Sequence, residues 1–207
     1  MEKINFQTEL DNLIERIGEE GKRPGLLLHS CCGPCSSYCL EYLKDYFDIT
    51  VLYYNPNIYP EEEYRLRLSE QSRLIDELNR NEEHKIKLIS VPYEHKEFTD
   101  YVVGLEKEKE GGARCEKCFE LRLKTAADTA EKMNLDYVGT TLTVSPHKNA
   151  LLLNQIGQEL CRRDGCSVCW LPSDFKKKDG YKRSIELSKI HNLYRQNYCG
   201  CEFSIWF

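Results

Sequence analysis

Short apolar runs alternate with longer amphipathic segments along this chain, and this alternation constrains the fold more than any other feature. The apolar runs have the length of buried strands and lie at 25–29, 49–54, 85–91 and 137–142. Between them, segments such as 6–20 place leucine and isoleucine at helical spacing. Strands that alternate with helices form a mainly parallel sheet with right-handed crossovers. We therefore expect a Rossmann-like α/β fold with helices flanking the sheet.

The chain has 207 residues, which suits one domain with a sizeable core. Neither a repeat nor a low-complexity linker divides it. We expect a single α/β domain over 1–207, with 160–207 as an irregular, cysteine-containing C-terminal extension packed on it. A helix is expected over 36–46, and prolines mark two further helix starts, at Pro60 and at Ser145-Pro146.

Composition restricts where the protein works and what it binds. No run of eighteen apolar residues is present, and the N-terminal segment lacks the apolar core of a signal peptide, so we expect a cytoplasmic protein. The 29 basic and 34 acidic residues give a net charge of −5. This charge argues against a general nucleic-acid coat and leaves room for a local basic face.

Eleven cysteines are unusual in such a chain, because reducing compartments disfavour structural disulfides. Cys31 and Cys32 follow the first strand, where the amides of a helix N-terminus stabilise thiolates. Cys115 and Cys118 are three residues apart on an expected helix, so both sulfurs project from one face. Four thiolates are what a [4Fe–4S] cluster, a [2Fe–2S] cluster or a structural zinc requires.

Other classes of protein fit parts of the same pattern. The segment CGPC (32–35) matches the thioredoxin dithiol motif and would indicate a thiol–disulfide oxidoreductase without iron. A structural-zinc, RNA-binding protein would use the four cysteines without redox chemistry. The strand, loop and helix also resemble the adenine-nucleotide α-hydrolase-like, PP-loop layout. Cysteines replace its glycine-rich phosphate loop, so we expect that fold without ATP chemistry.

Two further groups of cysteines remain. Cys199 and Cys201 lie across one glycine and form a reducible pair suited to passing two electrons, although the same sulfurs could ligate a metal. Cys161, Cys166 and Cys169 have the spacing of plant-type ferredoxin ligands but no obvious fourth ligand. For these three we favour ordinary packing or a local disulfide.

Five motifs, in this order, resemble the QueH-type epoxyqueuosine reductases. They are HSCCGPCS (29–36), YNPNIYPEEEY (54–64), RCEKCFELRL (114–123), TTLTVSPHKN (140–149) and YRQNYCGCEFS (194–204). The resemblance implies the last step of queuosine biosynthesis. In that step the epoxide of epoxyqueuosine, at the tRNA wobble position, is reduced to the cyclopentene and the oxygen leaves as water. It further implies that no cobalamin is used.

The same resemblance implies roles for individual residues. It assigns the ligands of a [4Fe–4S] cluster to Cys31, Cys32, Cys115 and Cys118, and a redox-active pair to Cys199 and Cys201. It also implies a further mononuclear iron, for which we take Cys35, His29 and Asp174 as candidate ligands. Electrons would come from a low-potential donor that the sequence does not identify.

An acidic protein that acts on tRNA needs a local basic face. The candidate cations lie in the C-terminal third and are Lys176, Lys178, Arg183 and Arg195. Tyr181, Tyr198 and Trp206 are candidates for stacking on splayed anticodon bases, the usual mode of single-stranded RNA recognition. Phosphate contacts of this kind predict salt-sensitive tRNA binding.

Overall fold

A five-stranded sheet forms the centre of the computed structural model, which describes residues 4–80 and 82–204. Its strands are β1 (Gly25–Ser30), β2 (Asp48–Tyr53), β3 (Lys87–Ser90), β4 (Tyr137–Thr140) and β5 (Cys169–Trp170). They are hydrogen-bonded in the order β3-β2-β1-β4-β5, and every pair is parallel. The expected α/β fold with a parallel sheet is confirmed.

Helices cover both faces of this sheet. In chain order they are α1 (Phe6–Glu20), α2 (Gly33–Leu43), α3 (Glu61–Leu78), α4 (His95–Tyr101), α5 (Ala113–Lys132), α6 (Ala150–Cys161) and α7 (Gly180–Ile190). Among residues 4–80 and 82–204, no helix combines the length and apolar character needed to cross a membrane.

Strand β1 lies in the middle of the sheet and is buried on both faces. Because successive side chains of a strand point to opposite faces, Leu26 and Leu28 enter one core and Leu27 enters the other. Helices α1, α2 and α7 pack in the first core, and α5 and α6 pack in the second. A central strand that is covered on both sides has apolar side chains throughout, and this explains the continuous apolar run in the sequence.

The strand order reverses between β1 and β4. In a parallel sheet the loops on the two sides of such a reversal diverge, and ligands bind in the crevice between them at the carboxyl ends of the strands. His29 at the end of β1 is the register neighbour of Thr140 at the end of β4. We expected the loops that follow these strands to face one crevice, and this is confirmed, since Cys31 and Lys148 line the same cavity.

Some elements differ from the sequence-based expectation. Helix α2 begins at Gly33 rather than at residue 36, because Cys32 has the extended backbone of an N-cap and Pro34 fits the first turn. The predicted helix start at Ser145-Pro146 is wrong: Ser145 Oγ accepts a hydrogen bond from the His147 amide in a turn, and Asn149 caps α6. Helix α4 and strand β5 were not predicted, because neither is long enough to show a clear period.

The segment 160–204 supplies β5 and α7 and then crosses the carboxyl end of the sheet. Its last part, residues 194–204, is called the tail below. Cys201 in the tail forms an isolated antiparallel bridge with Ile58, and the amide of Tyr59 donates a 2.8 Å hydrogen bond to the Gly200 carbonyl. The tail is therefore attached to the loop that follows β2.

Candidate functional site

Three thiols gather at the N-terminus of α2. The Sγ atoms of Cys31, Cys32 and Cys35 all lie within 4.8 Å of one another, and those of Cys31 and Cys32 are 3.8 Å apart. In the described part of the chain, no other three His, Cys, Asp or Glu side chains bring their ligand atoms this close. Thiolates are soft ligands that suit zinc and iron–sulfur clusters, so this group is the natural start of a metal site.

A buried polar network holds this loop in place. The hydroxyls of Ser30 and Ser36 each donate a 2.7 Å hydrogen bond to Gln71 Oε1 from α3. The Asn55 amide donates to the Ser30 carbonyl at 2.9 Å. All four residues are buried, so the network fixes the loop with little freedom. The thiols consequently stay at the positive end of the α2 dipole, which favours thiolates.

The three thiols differ in pKa. Hydrogen bonds from Cys32 and Cys35 hold the pKa of Cys31 well below its ordinary value, and the charges of Arg122 and Lys148 lower it further. The same hydrogen bonds raise the pKa of Cys32 to about 12 and that of Cys35 well above its ordinary value. Cys31 is therefore the thiolate of the group.

Helix α5 brings Cys115 and Cys118 to the same end of the sheet. Cys118 is buried, whereas Cys115 is partly exposed and accepts a 3.2 Å hydrogen bond from the Gly111 amide. Burial raises the pKa of Cys118 to about 11. These two thiols lie outside the three-sulfur group. The positive charges of Arg122 and Lys148 nevertheless act on both Cys31 and Cys118.

The first of these cations is Arg122, which is fully buried. Its Nη2 donates to Asn55 Oδ1 at 2.7 Å, and its Nη1 lies 3.9 Å from Cys118 Sγ. Within residues 4–80 and 82–204 no carboxylate pairs with it. Burial lowers the pKa of Arg122, but the charges of Cys118, Cys31 and Cys199 outweigh burial and raise it. A buried cation without a carboxylate favours anionic sulfur at this position.

Of the three candidate ligands for a further iron, the structure brings only Cys35 to the other thiols. His29 Nε2 lies 3.3 Å from Arg122 Nε and 3.2 Å from the Tyr54 carbonyl oxygen, and its Nδ1 lies 3.0 Å from Thr140 Oγ1. Both ring nitrogens of His29 are thus engaged. Asp174 pairs with Lys176 at 2.8 Å and does not join the thiol group.

The second cation, Lys148, is a site residue that the sequence analysis did not single out. Its Nζ lies 3.6 Å from Cys199 Sγ and 5.6 Å from the centre of the Phe119 ring. Burial lowers the pKa of Lys148, but the charges of Cys199 and Cys31 outweigh burial and raise it. The available signal was its position in the TTLTVSPHKN segment, directly after a strand end.

The tail brings its two thiols to the same place. Cys199 lines the cavity described below, and Cys201 is buried against Phe98, Val102 and Cys118. Burial raises the pKa of Cys201 to about 12, and the charge of Cys199 contributes. The two thiols predicted as a redox pair therefore lie beside the sulfurs of α5.

A cavity of about 640 Å³ opens at the crevice. Its walls include Cys31 from the loop after β1, Cys35 from the first turn of α2 and Lys148 from the loop after β4. The tail contributes Arg195, Tyr198 and Cys199. This volume falls within the usual range for small-molecule sites, about 300–1,000 Å³. A nucleoside-sized group entering it would meet thiols, an ammonium and an aromatic ring.

The four predicted RNA-binding cations are not equivalent in the structure. Arg195 lies at the cavity and is exposed. The other three form ion pairs: Lys176 with Asp174 at 2.8 Å, Lys178 with Asp11 at 2.6 Å and Arg183 with Glu41 at 2.7 Å. Tyr181 and Tyr198 both line the cavity, as stacking on a substrate base would require. Trp206 lies outside the described residues.

Cys161, Cys166 and Cys169 lie elsewhere. Cys161 is the last residue of α6, and Cys169 begins β5, at the amino end of the strands. Burial raises the pKa of Cys161 to about 12, helped by the charges of Cys166 and Cys169. The three sulfurs do not all lie within 4.8 Å of one another, and all three are free thiols.

Comparison with known proteins gives consistent matches. The family model of the epoxyqueuosine reductase QueH matches residues 26–206. The chain is 44% identical to the epoxyqueuosine reductase QueH of Staphylococcus aureus and 43% identical to that of Staphylococcus epidermidis, in each case over 98% of this chain and 85% of the relative. The solved structure of the U34-tRNA thiolase NcsA from Methanococcus maripaludis with its [4Fe–4S] cluster is similar with a TM-score of 0.48 and 13% identity, over 94% of this chain and 68% of that one.

Proposed function

The chain belongs to the epoxyqueuosine reductase QueH family, and from this we propose that it reduces the epoxide of epoxyqueuosine in tRNA to the cyclopentene of queuosine, the last step of queuosine biosynthesis. The observation that carries the proposal is the match over residues 26–206, at 43–44% identity to relatives of that name. The cavity supports it, because it joins thiols and cations in a space that a nucleoside fits.

The thiols fit an iron–sulfur cluster in number and in charge. We assign it to Cys31, Cys32, Cys115 and Cys118, a pair of sulfurs on each of two elements. The buried guanidinium of Arg122 supports this assignment, because it has thiol sulfur but no described carboxylate to balance its charge. When bound, such a cluster supplies electrons one at a time at low potential. Cys35 is the thiol left for a further iron, and His29 and Asp174 are occupied by other partners.

Cys199 and Cys201 would supply electrons in pairs. Oxidation of the two thiols to a disulfide releases two electrons and two protons. Reduction of the epoxide takes up the same two electrons and two protons, breaks both carbon–oxygen bonds, forms the carbon–carbon double bond and releases water. A low-potential donor would then reduce the disulfide, and no cobalamin is required.

The remaining cavity residues would bind the substrate and hold a proton. Lys148 carries a proton on Nζ at the wall of the cavity, where the epoxide oxygen must be protonated before it leaves. Arg195 would contact an anticodon phosphate, and Tyr181 and Tyr198 would stack on the flipped base; all three line the cavity, which supports these roles. This face would bind tRNA although the chain as a whole is acidic.

The activity is tested with tRNA that carries epoxyqueuosine. Protein purified and reconstituted without oxygen is incubated with this tRNA and dithionite, without cobalamin, and the nucleosides are then analysed by mass spectrometry. We expect conversion to queuosine by the unaltered protein and none by Cys199→Ser/Cys201→Ser. No conversion by iron-loaded protein would contradict the proposal, and so would full conversion that depends on added cobalamin.

A further inference from the structure

Arg67 in α3 holds the backbone of the tail where the two cysteines lie. We propose that Arg67 is a positioning residue that stabilises the dithiol form of the Cys199/Cys201 pair and so sets its reduction potential. This inference rests on the proposed function, in which the two thiols are a redox pair. The residue lies outside the cavity and outside the set of thiols described above.

The contacts of Arg67 reach the pair directly. Its Nη1 donates to the Cys199 carbonyl at 3.2 Å, and its Nη2 lies 3.5 Å from the Tyr198 carbonyl. The guanidinium also lies over the Tyr198 ring, 5.2 Å from its centre, an arrangement that stabilises a cation. One side chain therefore holds the peptide units on the N-terminal side of Gly200.

The backbone at Gly200 passes very close to this guanidinium. Gly200 has a φ of +105°, which side chains rarely allow. A Cβ at this position would lie 3.1 Å from Arg67 Nη1 and 3.0 Å from Cγ1 of Ile58. The glycine between the cysteines is thus required by both backbone conformation and space. The Cys-Gly-Cys turn packs against Arg67 and Ile58.

Arg67 itself has little freedom to move. Its side chain is 1% exposed, and its Nε donates to Glu63 Oε1 at 2.7 Å. Glu63 in turn accepts a 3.0 Å hydrogen bond from the Tyr194 hydroxyl, at the start of the tail. A buried charge that loses a partner is costly, so this group of contacts behaves as one unit.

The contacts of Arg67 exist in the dithiol state of the pair, and this affects its redox chemistry. Both Cys199 and Cys201 are free thiols in the structure, and the contacts of Arg67 belong to that conformation. Joining two sulfurs across one glycine closes a small ring and changes the turn between them. Contacts made in the dithiol form therefore favour it over the disulfide, and their loss makes the pair easier to oxidise.

The test measures the dithiol–disulfide equilibrium of the pair against glutathione. Glutathione disulfide oxidises the two thiols, forming the protein disulfide and two molecules of glutathione. Trypsin cleavage after Arg195 gives a peptide, 196–207, that contains these two cysteines and no others. Quenching with N-ethylmaleimide and mass spectrometry of this peptide then report the pair alone, in iron-loaded protein at several glutathione ratios.

We expect Arg67→Met to raise the equilibrium constant for disulfide formation about tenfold, which is a potential more negative by about 30 mV. Arg67→Lys keeps a cation but loses the fork that reaches two carbonyls, so we expect a rise of about threefold. Arg73→Met is the matched control. Arg73 lies on the same helix, pairs with Glu70 and donates to the carbonyls of His191 and Asn192, just before the tail.

The outcomes separate this inference from the proposed function. If the unaltered protein forms no disulfide in peptide 196–207 at any glutathione ratio, the redox pair itself is wrong. If the unaltered protein forms the disulfide, and folded Arg67→Met has an unchanged or lower equilibrium constant for disulfide formation, the proposed role of Arg67 is wrong. Far-ultraviolet circular dichroism and iron content report folding. If Arg67→Met does not fold, the equilibrium constant of Arg67→Lys is compared with that of the unaltered protein instead. An unchanged constant in Arg67→Lys, or an equal rise in Arg73→Met, overturns the inference.

Discussion

Lys148 Nζ lies 3.6 Å from Cys199 Sγ, so an ammonium from the loop after β4 meets a thiol from the tail. The two residues come from segments 51 positions apart and are joined at the wall of one cavity. The charge of Cys199 raises the pKa of Lys148, against the effect of burial. The contact therefore links the proton on Lys148, at the wall of the cavity, to the proposed redox pair.

Replacement of Lys148 by methionine is expected to slow the reduction of epoxyqueuosine about a hundredfold. The reason is the loss of the ammonium that holds a proton at the wall of the cavity. The rate is measured without oxygen in single turnovers of iron-loaded protein, by mass spectrometry of the tRNA nucleosides. Lys148→Arg keeps the positive charge and should be slowed less than the methionine variant. Equal rates in the methionine variant and the unaltered protein would show that Lys148 does not supply a proton.

The cluster assignment predicts that Cys115→Ser/Cys118→Ser loses its iron. The unaltered protein, purified without oxygen, should contain about four irons and four sulfides per chain. Both contents and the absorption of the cluster should fall to near zero in the variant, because half of the proposed ligands are removed. Cys166→Ser/Cys169→Ser has the same spacing but lies outside the site, and it should keep the full content. Loss of iron in both variants, or in neither, would contradict the assignment.

Arg195 is predicted to contribute to tRNA binding more than the other candidate cations do. Arg195→Ala should weaken binding five- to tenfold at low salt and reduce the slope of log affinity against log salt by about one. Filter binding or fluorescence anisotropy at several salt concentrations measures both. Arg183→Ala is the control, since Arg183 is engaged by Glu41 and Glu186. An equal effect of both variants would remove the special role of Arg195.

Cys161 predicts a specific pH dependence of stability. Its pKa is raised from 9.0 to about 12 by burial and by the charges of Cys166 and Cys169. The folded protein thus keeps a proton that the unfolded chain loses, so this contribution is complete below pH 9 and is lost as pH rises towards 12. One proton corresponds to at most about 1.4 kcal/mol per pH unit, and less here because Cys161 is only partly buried.

Two variants isolate the contribution of Cys161 to the pH dependence of stability. Cys161→Ala should be less stable than the unaltered protein at pH 8, and the difference between the two should narrow between pH 9 and pH 11. Urea unfolding at each pH measures the difference. Leu160→Ala removes a neighbouring apolar side chain without a titratable group, so its difference should stay constant. A constant difference for Cys161→Ala would show that the thiol titrates alike in both states.

Local patterns were sufficient for most of the strands and for the position of the first two cysteines. The alternation of apolar runs predicted four of the five strands, because a buried parallel strand is apolar throughout. The position of Cys31 and Cys32 after β1 follows from the strand itself and from the glycine and proline that start α2. Strand β5 has two residues and no period to detect, so its pairing with β4 depends on tertiary packing.

The cations of the site could not be assigned from the sequence, because their partners are distant in the chain. Lys178 was expected to contact RNA, yet it pairs with Asp11 at the other end of the chain. Arg67 reaches a carbonyl 132 positions away. Nothing local distinguishes a paired lysine or arginine from a free one, and only the folded arrangement decides which charges remain for a substrate.

The attachment of the tail to the loop after β2 has a consequence for biosynthesis of the protein itself. Cys31, Cys32, Cys115 and Cys118 leave the ribosome well before Cys199 and Cys201, and the sheet that positions the first four does not need the tail. The bridge between Ile58 and Cys201 can therefore form only after nearly the whole described chain has been synthesised. The tail is the last part of the site to be put in place, and its cysteine pair reaches Cys118 only once this late contact has formed.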